Sequence, residues 1–125
     1  MDIGGLTVTV NPDGSLHVTG VLDAAYNFVT WSIQLADIGV RAGDVLSFNA
    51  GDKPKSLQFE LVGYRPGQAS QSIGVNTILE PAVKYLTLRM QARTTVDADL
   101  KPMLNKGANV LDWMPPDVTN ASGGG

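Results

Sequence analysis

The sequence predicts an all-β protein, a sandwich or barrel of eight or nine short strands, and three observations carry that expectation. Short runs alternate apolar and polar residues with a period of two, as a half-buried strand requires. Turn residues separate these runs at short, regular intervals. No stretch sustains the three-to-four-residue apolar spacing of a helix.

The opening hairpin is the clearest element. Leu6, Val8 and Val10 are expected on one face of a strand with Thr7 and Thr9 on the other, and Leu16 and Val18 repeat the pattern after Asn11-Pro12-Asp13-Gly14. Proline presets φ in that turn, Asp can accept from its own backbone, and Gly supplies positive φ. Residues 21–27 lack a period and read as a loop containing Tyr26. The next strand, 28–35, places Val29, Trp31, Ile33 and Leu35 on one face. Trp31 is its expected core anchor, able to bury on the order of 200 Å².

A connection over 36–43 has room for one helical turn through Ile38 and Val40, and a strand over 44–50 then points Leu46 and Phe48 inward. Pro54 breaks the pattern because it lacks a ladder donor. The strand at 56–64 alternates through Leu57, Phe59 and Leu61, and the polar loop 65–70 follows. Residues 71–79 read as one strand and 84–91 as another, with Leu86, Leu88 and Met90 inward. The last long run, 96–104, sets Val96, Ala98 and Leu100 against Asp97 and Asp99. Residues 105–107 read as a turn and 110–113 as a short extended piece. From Pro115 the chain turns to Pro, Thr, Asn, Ser and Gly, so the expected division is one domain over 1–114 and a flexible tail over 115–125.

Composition narrows the class of function. Apolar content of 43% suits a folded domain, and 17% charged residues is low enough that Ser, Thr, Asn and Gln must do much of the solvating. A net charge of −3, with scattered basic residues, disfavours nucleic acid, which is held through clustered Lys and Arg. No apolar run approaches the ~20 residues of a membrane-spanning helix, and no basic-then-apolar leader opens the chain, so no membrane partner is expected. Cysteine is absent, which removes disulfides, thiolate metal sites and cysteine nucleophiles. The expectation is a soluble chain folded inside a cell, able to leave it within a particle released by lysis.

Two ends of the chain and one connection resemble a known family. Asp99-Leu100-Lys101-Pro102-Met103-Leu104-Asn105-Lys106-Gly107, followed by Trp113-Met114-Pro115-Pro116, resembles the closing strand of β-sandwich modules in bacteriophage tail and other virion proteins. The opening hairpin and the stretch from Leu35 through Arg41-Ala42-Gly43-Asp44-Val45-Leu46 match the same pattern in the same order, over about residues 5–116. Such modules are themselves similar to carbohydrate-binding domains. The resemblance implies an antiparallel, jelly-roll-like sandwich and a non-enzymatic structural role in a virion assembled in the host cytoplasm. It places a minor tail or tail-tip component first, with adhesion to host-surface glycan or the joining of tail parts as the role. A capsid decoration protein and a free carbohydrate-binding module are the alternatives. Those modules are often embedded in long tail proteins, so a stand-alone protein and an excised module both remain open.

The residues offer little for catalysis. His17, the sole histidine, lies on the polar face of the hairpin with no nucleophile at a telling spacing. Asp97 and Asp99 share a strand face, whereas glycosidase carboxylates usually flank a cleft from separate elements. With Asp112 or Asp117 they could contribute to a calcium site, but no loop has the necessary density of oxygen ligands. No metal or cofactor is therefore expected.

Sugar binding is the better site hypothesis, because flat aromatic faces beside amide and guanidinium groups suit sugar rings. Tyr26, Tyr64, Arg65, Gln68 and Tyr85 have that character, and packing or surface tyrosines is the plainer reading of the same residues. Trp113, Met114, Pro115 and Pro116 are the candidates for an assembly contact with other virion proteins or a second copy, since Trp is enriched at interface centres. A sparsely charged surface also favours a homo-oligomer.

Overall fold

The computed structural model describes residues 2–114. Its strands are β1 (Asp2–Ile3), β2 (Leu6–Val10), β3 (Leu16–Gly20), β4 (Val29–Gln34), β5 (Val45–Asn49), β6 (Leu57–Tyr64), β7 (Gln71–Ile73), β8 (Thr77–Ile78), β9 (Tyr85–Ala92), β10 (Val96–Leu100) and β11 (Met103–Lys106). A single 3-10 turn, Leu35–Ile38, interrupts them in the connection where one helical turn was expected.

Every strand pairing is antiparallel. One layer has the order β4-β9-β6-β7. The other runs β1-β2-β3-β10 and continues as β11-β5-β8. Only Lys101 and Pro102 separate β10 from β11, and proline cannot donate to a ladder, so one long strand pairs with β3 first and then with β5. From β3 onward the chain winds between the layers as β3-β10/β11-β5-β8 over β4-β9-β6-β7, which is the connectivity of a jelly roll. Leaving out the two-residue β1 and β8 and counting β10 and β11 as one strand gives eight, within the eight or nine that the sequence predicts.

Alternation explains why the layers stack. Leu6, Val18 and Leu100 of the first layer and Leu57, Leu61, Leu86 and Met90 of the second are almost wholly buried in one core. Burying each such side chain stabilises by about 1.5–3 kcal/mol relative to exposure. Phe48 and Phe59 join the layers edge to face, with ring centroids 5.9 Å apart. The hairpin closes against its own lead-in: Gly20 has φ +103°, and a Cβ there would run into the Gly5 carbonyl oxygen.

Five local expectations are corrected. The run 71–79 is not one strand, because Asn76 adopts φ 56° and the Thr77 hydroxyl accepts from Gly74 N–H, turning the chain between β7 and β8. Asparagine tolerates that left-handed conformation. Residues 105 and 106 are strand rather than turn, since β11 stays in register with β5 as far as Lys106↔Leu46. Residues 110–113 form no strand. Val10 is 70% exposed instead of buried with Leu6 and Val8, and Trp31 is only half-buried. Both lie where the core opens to solvent.

Candidate functional site

Two of the five sugar-site candidates, Tyr64 and Tyr85, come together in one row, and the register of the second layer is the reason. Tyr64 at the end of β6 pairs directly with Tyr85 at the start of β9, and Gln34 of β4 faces Tyr85 from the other side. One outward row thus reads Gln34–Tyr85–Tyr64. The two rings stack with centroids 4.8 Å apart and an interplanar angle of 25°. Such an arrangement suits their quadrupoles and holds both rings upright on the sheet.

Arg65 continues from this row and is engaged by its own loop and by Glu80. Its Nε donates to the Ala69 carbonyl at 2.7 Å and its Nη1 to Glu80 Oε1 at 2.7 Å. It therefore shapes the loop that ends at Gln68, whose N–H donates to the Arg65 carbonyl. Gln71 ties the same corner, donating to the Ile78 carbonyl and accepting from Glu80 N–H. Arginine here braces the rim.

Two rows along the face, Arg89 Nε donates to Glu60 Oε1 at 2.8 Å while its guanidinium lies 4.6 Å from the centroid of the Phe28 ring. Between the two rows stand Ser32, Thr87 and Ser72, with Val62 buried among them. The face therefore carries the hydroxyls of Ser32, Ser72 and Thr87, a paired Glu60 and Arg89, and the stacked tyrosines at one end.

Tyr26 does not join this row. Its ring covers Gly4 and its carbonyl accepts from Arg93 Nη2 at 2.6 Å, and Arg93 lies just past the far end of β9. One strand of that length puts it on the order of 25 Å from Tyr85.

A cluster that sequence spacing did not reveal lies on the first layer. His17 of β3 sits in register with Asp99 of β10. Its Nδ1 is 2.7 Å from Asp99 Oδ1 and its Nε2 is 3.3 Å from Asp97 Oδ1. The Asn11 amide also donates to Asp99 Oδ1, at 2.9 Å. That bond first, and the one from His17 second, hold the Asp99 carboxyl below the usual aspartate range. The wet-face alternation marked all three residues as outward, yet only the pairing of β3 with β10 brings them together. Among the described residues His17 meets Asp99 and Asp97, and the arrangement joins β3 to β10.

Among the described residues, no three His, Cys, Asp or Glu side chains are grouped so as to hold a metal ion. Trp113 packs under Lys101, whose Nζ lies 5.0 Å from the ring centroid. Trp113 also lines a polar cleft with Asn49, Asp52 and Asp112. Met114 is exposed. Pro115 and Pro116 lie outside the described residues.

Another concavity lies between the two layers. Val8, Val10 and Leu16 of the first layer and Trp31, Phe59 and Leu88 of the second line an open apolar groove of about 630 Å³, with Thr9 at its lip. Comparisons with protein-family models, curated proteins and solved structures returned no match.

Proposed function

We propose that this chain is a non-enzymatic structural protein of a bacteriophage particle, a minor tail or tail-tip component that touches host-surface glycan. The observation that carries the reading is the Gln34–Tyr85–Tyr64 row, a stacked aromatic pair at the end of a hydroxyl-bearing sheet face. Sugar rings present C–H faces to aromatic rings and hydroxyls to amides, and this row supplies both. Arg65 and Gln68 serve it by bracing the adjoining loop, and Tyr26 belongs to a separate surface.

Two measurements test the reading. On an array of host cell-wall sugars the chain binds, and Tyr85→Ala weakens that binding about tenfold or more, a decade being ~1.4 kcal/mol. Unchanged binding in Tyr85→Ala, or none in the native chain, removes the glycan role. In purified particles the chain is present in stoichiometric amount and antibody label sits on the tail. Label on the head would replace the tail assignment with capsid decoration, and absence from particles would leave a free sugar-binding module.

A further inference from the structure

The outward face of the second layer holds a second cluster that the tyrosine row does not use. On the outward positions of β4, β6 and β9 the charged side chains are Glu60 and Arg89, and they sit opposite each other across the ladder. Arg89 is fixed on two sides. Its Nε donates to Glu60 Oε1 at 2.8 Å, and its guanidinium lies 4.6 Å from the centroid of the Phe28 ring. Gln58 Nε2 donates to the same Glu60 oxygen at 2.9 Å. Among the described residues, the two Nη atoms of Arg89 and Oε2 of Glu60 have no hydrogen-bond partner. Each of the two side chains keeps 31% of its surface in solvent, so a ligand can reach the pair.

What remains is a fork of donors beside an acceptor, with the two charges cancelling. A sugar hydroxyl both donates and accepts, so two adjacent hydroxyls on one ring match an arginine Nη and a carboxylate oxygen held side by side. A carboxylate or phosphate on the ligand would meet Glu60 as well as Arg89. The cluster lies four residues from the tyrosine pair along β9, a distance of about 13 Å at the rise of a strand. Between them stand the short side chains of Ser32, Thr87 and Ser72, and Val62 is buried.

We infer that the two clusters are the ends of one site, and that its ligand is an uncharged, unbranched oligosaccharide laid along β9. Its length is about three or four hexose units, because about 13 Å is more than a disaccharide can bridge between two contacts. One ring packs on Tyr64 and Tyr85, and a ring further along presents adjacent hydroxyls to Arg89 Nη and Glu60 Oε2. Phe28 and the Nε bond hold the guanidinium in place before the sugar arrives, so little side-chain freedom is lost on binding. This extended site presupposes that the tyrosine row binds sugar, and adds to that reading the length and charge of the chain it takes.

Unbranched glucose, galactose and mannose oligomers of two to six units, titrated into the full chain by calorimetry, test it. In a series that binds, affinity rises about tenfold from two units to four and then levels. Arg89→Gln and Glu60→Gln each return the four-unit oligomer to two-unit affinity and leave the two-unit oligomer unchanged, whereas Tyr85→Ala weakens both. Thr87→Lys raises a long side chain between the clusters and removes the same gain without touching either end. A four-unit galacturonate oligomer binds no more tightly than its galactose counterpart. The extended site is overturned if no series binds, if affinity is independent of length, or if either Arg89→Gln or Thr87→Lys keeps the gain. Preference for galacturonate also overturns it, because Arg89 would then be receiving a carboxylate. Failure of the tyrosine reading looks different: Tyr85→Ala then leaves every affinity unchanged, at two units as at four.

Discussion

Ser47 shows how one polar side chain can hold three segments of a β-sandwich. It is fully buried on β5, donates from its hydroxyl to the Gly107 carbonyl at 2.7 Å and accepts from Asn76 N–H at 3.0 Å. The turn before β8 and the end of β11 are thereby tied to β5 through a single oxygen. Ser47→Ala leaves both backbone groups short of a partner and is expected to cost about 1–3 kcal/mol in urea denaturation. Asp99 is the other informative residue. Its Asn11 and His17 hydrogen bonds depress its pKa in the folded chain, so its contribution is complete above the ordinary aspartate range and lost as pH falls through the depressed value. Asp99→Asn should therefore be less stable than the native chain near neutrality, with the gap closing in strong acid. Denaturation midpoints across a pH series measure it.

At the scale of the element, the opening hairpin depends on a glycine that its alternation pattern does not advertise. Gly20 ends β3 in a left-handed conformation against the Gly5 carbonyl, and Leu6 pairs with Gly20 across the ladder. Gly20→Ala combines an unfavourable φ with a backbone collision that no rotamer can relieve. A loss of about 1–3 kcal/mol is expected from the conformation alone, read as a lower midpoint in thermal or chemical unfolding. Gly39 has a positive φ but open space around its Cβ position, so alanine there meets only the conformational penalty and should be milder. Comparing the two variants separates close approach from backbone strain.

For the molecule as a whole, stability rests on the meeting of the two layers. Leu86 is fully buried at the centre of the second layer and belongs to the same cluster as Leu46 and Leu100 of the first. Leu86→Ala should cost about 2–5 kcal/mol, since the surrounding strands can collapse only partly into the space left. The layers do not close on the side of Trp31 and Val10, where apolar surface remains in contact with water.

Alternation and turn chemistry determined the class of the protein, since both act within a few residues: the strands, the hairpin turn and the inward set of Leu57, Phe59, Leu61, Leu86 and Met90 are legible in the chain itself. The tyrosine candidates were legible as residue types, whereas the row they form was not. Tyr64 meets Tyr85, and His17 meets Asp99, only through the register of strands distant in sequence. The folded sandwich likewise decided that Trp31 and Val10 line an opening rather than a sealed core. A period of two tells which side of a strand is apolar, while the number and order of strands in each layer decide how much of that side is covered.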